Sequence, residues 1–218
     1  MKYKFVKKLN KKISTIGLGT WSLSNTNNSK FFYKKITKEN IIKILNMSFY
    51  KGINFYDTSP AYGKSEKFIG EVFRNRREKI VISSKVGLSK FGDKIDFSVK
   101  SLDRQISKSL RNLKTDYMDI VFFYNPEFNK YNFNKSYEFI KKQQEKGVIK
   151  SIGVSFKSPY EINNVAKNFL FDFAQCNFNI LDNRIYDNKI LKYLVKNNIY
   201  VIARTILGLG IFTEANYN

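Results

Sequence analysis

The 218-residue sequence has no histidine, one cysteine and three prolines, and these scarcities exclude several kinds of site. Without histidine, a histidine-dependent catalytic triad cannot form, and a zinc site built from Cys and His ligands is excluded too, so we expect no metal. Cys176 has no partner for an intrachain disulfide. No apolar run approaches the roughly 18 residues of a membrane span, and residues 1–8 lack the apolar block of a signal peptide. We therefore expect a cytoplasmic protein with no membrane partner.

The composition is that of a globular protein, with 43% hydrophobic and 26% charged residues. Its length predicts a single domain over residues 1–218. The 39 Lys and Arg against 18 Asp and Glu give a net charge of +21, which is compatible with a nucleic-acid binder. The lysines are scattered along the whole chain, however, rather than gathered beside aromatic residues. We expect no specific nucleic-acid partner, and a binder whose affinity falls steeply with salt is the least favoured hypothesis.

The hydrophobic pattern alternates short apolar runs with amphipathic stretches. A hairpin is predicted over about residues 3–16, from runs at 4–9 and 12–16 turned at Asn10 and Lys11. Thr37 is placed to cap a helix that Gly52 ends, and Ser158, Pro159 and Glu161 form a capping-box pattern for another. Further helices are predicted at 64–73, 96–113, 133–146 and 187–197, and strands at 53–57, 80–85, 118–123, 149–155, 173–177 and 200–203.

Strands that are apolar on both faces and alternate with helices indicate a parallel sheet covered by helices. No glycine-rich phosphate loop of a doubly wound fold is present. Polar residues instead end nearly every strand, which favours a barrel whose chemistry lies at the carboxyl rim. They are Thr20, Trp21, Asp57, Lys85, Tyr124, Asn125, Ser155, Gln175, Asn177, Arg204 and Thr205.

Several segments of the sequence closely resemble the aldo-keto reductase family. One segment is GINFYDTSPAYG at 52–63, followed by Ser65 and Glu66, and its block from Asp57 to Tyr62 is the specific part. The others are IGLGTW at 16–21, SSKVG at 83–87, DYMD at 116–119, GVIKSIGVS at 147–155 and QCNFN at 175–179. The resemblance implies a (β/α)8 TIM-type barrel. It also implies NADPH-dependent reduction of a small aldehyde or ketone to the alcohol.

The same resemblance assigns the catalytic roles. Tyr62 matches the family's proton donor, and a tyrosine needs tuning because its free pKa is about 10. Lys85 is expected to give Tyr62 phenolate character, while Asp57 keeps Lys85 charged and oriented. Tyr124 stands where the family usually has histidine; a phenol there can donate a hydrogen bond but cannot titrate near neutral pH.

Residue-by-residue matching also implies the cofactor contacts. Gly19, Thr20 and Trp21 line the nicotinamide end, and Asp57 meets its ribose. Ser155 and Gln175 hold the carboxamide. Arg204 stacks on the nicotinamide with its planar guanidinium, and the segment that includes Thr205, Leu207 and Gly208 follows the pyrophosphate. NADH is not excluded, because the residues that discriminate the two cofactors lie beyond those matched.

Besides Tyr124, two further features depart from the family pattern. Phe156 replaces the asparagine that helps to hold the carboxamide. The sequence contains about seven βα units, so we expect the eighth strand and the C-terminal segment to be missing. An oligomer or a shift of the hairpin are alternative ways to cover the open barrel edges. The alternative function is a catalytically impaired relative or truncated fragment that acts as a nucleotide- or protein-binding module.

Overall fold

The computed structural model describes residues 1–24, 36–90, 93–126 and 133–211. Its strands are β1 Tyr3–Val6, β2 Lys11–Ser14, β3 Leu18–Gly19, β4 Phe55–Asp57, β5 Val81–Val86, β6 Met118–Tyr124, β7 Ile149–Ser155, β8 Phe173–Asn177 and β9 Tyr200–Arg204. Its α-helices are α1 Lys38–Tyr50, α2 Ser65–Phe73, α3 Val99–Leu113, α4 Phe133–Glu145, α5 Ile162–Ala166 and α6 Asn188–Lys196.

Strands β3 to β9 form one seven-stranded parallel sheet in sequence order, and β1 and β2 pair separately as an antiparallel hairpin. The sheet curls into a nearly closed barrel, because each strand is followed by a helical crossover that returns the chain to the next position. Within the described ranges, β3 and β9 each have a single neighbouring strand. The predicted fold, an incomplete (β/α)8 barrel, is therefore confirmed.

Two hydrophobic clusters follow from the side-chain alternation of the strands. One face of each strand packs on the helices and forms the larger cluster, with Ile82, Val121, Ile152 and Ala174 among its members. The opposite face fills the amino-terminal end of the barrel, where the hairpin residues Val6 and Ile13 close it. They pack against Phe55, Val81, Ile120, Phe122 and Phe173 from the barrel strands.

A buried ion-pair network locks the hairpin to this end of the barrel. The Asp119 carboxylate accepts a hydrogen bond from Arg77 at 2.6 Å and one from Lys11 of the hairpin at 3.1 Å. It also accepts one from the Ile82 backbone amide at 2.9 Å. With three donors the buried carboxylate is well satisfied, and the hairpin leaves the carboxyl ends of the strands uncovered.

The local signals in the sequence are only partly realised. Thr37 caps α1 by accepting from the Asn40 amide at 3.3 Å, as predicted. The capping box predicted at Ser158 is wrong: its side chain makes no capping bond, and Pro159–Glu161 is a 3₁₀ turn before the short α5. The hairpin strands are also shorter than predicted, because Lys7–Leu9 is a 3₁₀ turn that ends at Asn10 with φ +48°. No helix in the described ranges is long and apolar enough to cross a bilayer.

Candidate active site

The strand alternation brings the predicted polar residues together inside the barrel. Phe55, Val81, Phe122 and Phe173 belong to the inner cluster, and positions an even number of residues further along each strand share their face. The side chains near the carboxyl ends of these strands therefore meet above the plug of apolar residues. They are Asp57, Ser83, Lys85, Tyr124 and Gln175, with Ser155 and Arg204 on the neighbouring strands β7 and β9.

Lys85 is at the centre of the site. Its side chain is 2% exposed, and its Nζ donates to Asp57 Oδ2 at 2.7 Å and to the Thr58 carbonyl oxygen at 2.9 Å. The pair forms because β4 and β5 are adjacent and parallel, with Asp57 in register with Ser83, two residues before Lys85. A buried ammonium is stable only with such partners.

Tyr62 reaches the same ammonium from the loop between β4 and α2. Its backbone amide donates to the Ser59 carbonyl at 2.9 Å, which tightens the loop, and Gly63 follows at φ +55°. Lys85 Nζ lies 4.9 Å from the centroid of the Tyr62 ring, and the two side chains hydrogen-bond. Asp57, Lys85 and Tyr62 thus form a continuous chain of contacts.

Burial and charge act on these groups in opposite directions. Burial, the largest influence, raises the pKa of Tyr62, and the positive charge of Lys85 only partly offsets it. For Lys85, burial acts to lower the pKa, but the Asp57 carboxylate and Tyr62 outweigh it, so the pKa is raised. Lys85 thus favours the phenolate form of Tyr62, in the direction expected, but burial outweighs this influence and the pKa of Tyr62 is raised overall. At neutral pH the site holds an ammonium beside a protonated phenol, which is a hydrogen-bond and proton donor.

The second oxygen of Asp57 is held by two neutral donors. Oδ1 accepts from Ser83 Oγ at 2.7 Å and from Gln175 Nε2 at 3.0 Å. Gln175 in turn accepts from Ser155 Oγ at 3.0 Å. Four strands therefore contribute to one hydrogen-bonded network around a single carboxylate.

Tyr124 ends β6 on the inner face and is half-buried. It lies close enough to Tyr62 for its charge to raise the pKa of Tyr62, although more weakly than burial does. Asn125 follows with φ +43° and donates its backbone amide to the Ser155 carbonyl at 2.8 Å. Two phenols thus share the mouth of the site in a chain that has no histidine.

The residues predicted at the nicotinamide end lie at the end of β3, which has one neighbouring strand among the described residues. Thr20 is buried, and its Oγ1 donates to the Asp57 carbonyl at 3.0 Å, which ties the end of β3 to β4. Trp21 begins a short 3₁₀ helix after it. No heavy atom of the residues that the structure describes lies within 4 Å of the position of a Cβ on Gly19, so open space adjoins that backbone among them.

Arg204 ends β9, the strand at the other edge of the described sheet. Its NH2 donates to the Phe156 carbonyl at 3.1 Å, while its Nε is buried with no hydrogen-bond partner among the described residues. Thr205, at φ +61°, turns the chain, and its Oγ1 donates to Asn177 at 3.0 Å. Leu207 is exposed, and Gly208 begins the 3₁₀ turn Gly208–Gly210.

These residues fit a nicotinamide nucleotide. Three features lie at the rim near Lys85. They are the buried Arg204 Nε, which has no hydrogen-bond partner among the described residues, the hydrogen-bonded pair of Gln175 and Ser155, and the open space beside Gly19. Amides and hydroxyls are suited to a carboxamide and a ribose, and a guanidinium can stack on a planar ring.

Sequence reasoning did not identify Ser83 and Thr58 as parts of the site. Ser83 contacts Asp57, and the Thr58 carbonyl accepts from Lys85. A signal for Ser83 was available: it precedes Lys85 by two residues on one strand, so both must share a face. The contact to Thr58 could not be predicted in this way, because every residue has a backbone carbonyl and its side chain does not indicate the contact.

Proteins with similar sequences bear the names of oxidoreductases and dehydrogenases. The chain is 28% identical over 209 residues to the "Uncharacterized oxidoreductase YqkF" of Bacillus subtilis, covering 93% of this chain and 63% of that protein. It is 26% identical over 215 residues to the L-galactose dehydrogenase of Arabidopsis thaliana, covering 93% and 64%. The chain thus spans slightly less than two thirds of the length of these relatives.

A solved structure shares the fold. The aldo-keto reductase from Klebsiella pneumoniae in complex with NADPH superposes with a TM-score of 0.75 at 21% identity, covering 98% of this chain and 72% of that one. The sequence model described as "Aldo/keto reductase family" matches residues 15–218, which is most of the chain. With the barrel and the Asp57, Tyr62 and Lys85 cluster, this match shows that the chain belongs to the aldo/keto reductase family.

Proposed function

We propose that this protein is an oxidoreductase that reduces a small aldehyde or ketone to the alcohol with NADPH. The observation that carries the proposal is the Lys85 ammonium, buried between the Asp57 carboxylate and the Tyr62 phenol. Reduction of a carbonyl needs a hydride at carbon and a proton at oxygen. A protonated phenol beside a fixed cation is suited to deliver that proton and to stabilise negative charge as it develops.

Each residue has a separate task in this proposal. Tyr62 donates its hydroxyl proton to the carbonyl oxygen, and its phenolate is stabilised by the Lys85 ammonium. Asp57 keeps Lys85 charged and directed at Tyr62, because the 2.7 Å contact to Oδ2 leaves the ammonium little freedom. Tyr124 donates a hydrogen bond that orients the carbonyl, the task for which the family commonly uses histidine.

The nicotinamide cofactor would supply the hydride. Gly19, Thr20 and Trp21 would line its nicotinamide end and Asp57 would meet the ribose. The carboxamide would meet Ser155 and Gln175, which hydrogen-bond each other at 3.0 Å. Arg204 would stack on the ring, and Thr205, Leu207 and Gly208 would follow the pyrophosphate. NADPH is proposed over NADH because the similar Klebsiella pneumoniae structure holds NADPH.

The test is turnover by the purified protein on a panel of small aldehydes and ketones, with NADPH and NADH compared. Loss of reduced cofactor and formation of the alcohol are both measured. We expect NADPH-dependent formation of alcohol for some members of the panel. Tyr62→Phe should lower kcat by about 10²–10⁴-fold, the usual range for removing a general acid. No alcohol from any carbonyl with either cofactor contradicts the proposal.

A second candidate is a nucleotide- or protein-binding module without turnover. Tyr124 at the histidine position, Phe156 at the asparagine position and two barrel edges with one neighbour each favour it. Quenching of NADPH fluorescence by the protein with no alcohol formed would support this candidate. An oligomer that covers the barrel edges, the absence of a specific nucleic-acid partner and the cytoplasmic location stay predictions.

A further inference from the structure

We propose that Ser83 is a positioning residue, which holds the Asp57 carboxylate in the orientation that places its other oxygen on Lys85. This inference rests on the proposed function, because it concerns the alignment of the proton-donating group. Ser83 is fully buried, and its Oγ donates to Asp57 Oδ1 at 2.7 Å. Neither the family's catalytic residues nor the predicted cofactor contacts include it.

The arrangement follows from strand geometry. Ser83 and Lys85 lie two residues apart on β5, so both point into the barrel. Asp57 is in register with Ser83 on the adjacent strand β4. One carboxylate is therefore held at both oxygens by one strand, with Ser83 on Oδ1 and Lys85 on Oδ2. A carboxylate fixed at both oxygens cannot rotate about its terminal torsion without breaking a charge-assisted hydrogen bond.

Gln175 is the other donor to Oδ1, at 3.0 Å, but it has a competing task. The proposed function assigns Gln175 to the cofactor carboxamide, and an amide that turns toward the carboxamide shares or gives up its bond to Asp57. Ser83 has no such second task. The alignment of Asp57 should therefore depend most on Ser83 when the cofactor site is filled.

The chain offers two matched control serines. Ser84 is the next residue on β5 and points to the opposite face, where its Oγ donates to Glu66 at 2.9 Å. Ser151 is also buried in a barrel strand, and no group in the described part of the chain hydrogen-bonds its hydroxyl. Ser84→Ala removes a buried hydrogen bond away from the site, and Ser151→Ala removes a buried hydroxyl without removing a bond.

The kinetic test compares Ser83→Ala, Ser84→Ala and Ser151→Ala with the unaltered protein. A displacement of a catalytic group by about 1 Å costs up to about 10²-fold in rate, so we expect Ser83→Ala to lower kcat about tenfold. The KM for the carbonyl should stay within about twofold, because Ser83 is assigned no contact with the carbonyl substrate. The two controls should keep kcat within about twofold. Equal kcat values for Ser83→Ala and Ser84→Ala would overturn the proposal.

The second test needs no cofactor and no turnover. Crystal structures of the cofactor-free Gln175→Leu variant, which lacks the competing donor to Oδ1, and of the Ser83→Ala/Gln175→Leu double variant should show the Asp57 carboxylate rotated only in the double variant. The contact from Lys85 Nζ to Asp57 Oδ2 should lengthen beyond about 3.5 Å, where a hydrogen bond is no longer made. An unchanged carboxylate overturns the proposal, even where kcat falls. If the unaltered protein forms no alcohol, the proposed function fails, and these structures still decide the role of Ser83.

Discussion

The centre and the edges of the barrel sheet differ in burial and in what their residues do. Every residue of β5 is buried, and so is every residue of β6 except Tyr124, whereas no residue of β9 is buried. The ion pair of Asp57 and Lys85 joins two strands that have neighbours on both sides, while Gly19 and Arg204 lie on the two edge strands. A central residue therefore affects folding and chemistry together, and an edge residue is placed to affect ligand binding with little effect on stability.

The largest difference should come from removing the charged group at each place. Lys85→Met leaves the half-buried Asp57 carboxylate without its cation and should lower the free energy of unfolding by about 3 kcal/mol. Arg204→Met, at the edge, removes a partly exposed side chain and should cost less than about 1 kcal/mol. Urea denaturation of both variants measures this. Equal costs would mean that the centre is not more tightly constrained than the edge.

Two glycines provide the next comparison. A Cβ on Gly153 in β7 would lie 2.4 Å from the buried Phe122 ring and 3.0 Å from the Phe173 carbonyl, so Gly153→Ala should destabilise the protein by about 3 kcal/mol. Gly19→Ala meets no atom within 4 Å and should change stability by less than about 0.5 kcal/mol. Thermal unfolding separates them. Substantial destabilisation by Gly19→Ala would show that the space beside β3 is closed in solution.

Two valines on the helix-facing side of the sheet extend the comparison to simple burial. Val121 in β6 is 1% exposed, and Val201 in β9 is 43% exposed. Val121→Ala should cost about 2 kcal/mol, because it removes two buried methyl groups and leaves a cavity. Val201→Ala should cost less than about 0.5 kcal/mol. A cost for Val201→Ala near that of Val121→Ala would indicate that another segment or subunit covers the edge in solution.

The smallest expected effect is that of pH on the reduction rate. Tyr62 must be protonated to act as donor, and burial raises its pKa above the usual 10.0, so the active form persists through neutral pH. The rate should vary less than about twofold between about pH 6 and pH 9 and should fall only as pH rises beyond the ordinary tyrosine range. The groups around Tyr62 are Lys85, Asp57 and Tyr124. A decline centred near neutral pH would contradict the assignment of Tyr62.

Much of this arrangement was predictable because it depends on periodicity. The strands 149–155 and 173–177 appear with the predicted bounds, and alternation along each strand places Asp57, Lys85 and Gln175 inside one barrel. The pattern at Ser158 failed because a capping box needs a continuing helix, and the chain there makes a 3₁₀ turn. The net pKa shift of Tyr62 depends on burial against charge, and neither can be weighed before the distances are known.

The contacts of Asp57 were also only partly predictable from the sequence. Its pairing with Lys85 follows from the family motif, but its bond to Gln175 joins two strands that are distant in sequence. The geometry of this bond depends on the curvature of the sheet, which no local pattern encodes. The sequence therefore predicts which residues share the site and leaves open which of them hold one another.

The central claim is that Tyr62, and not its neighbour Tyr124, donates the proton, and it is tested most directly by comparing kcat of Tyr62→Phe and Tyr124→Phe in one carbonyl-reduction assay. Each substitution removes a single hydroxyl. The account predicts that Tyr62→Phe lowers kcat by at least about 10²-fold, and that Tyr124→Phe, which loses only an orienting hydrogen bond, lowers it by about tenfold or less. A larger loss for Tyr124→Phe than for Tyr62→Phe would contradict it.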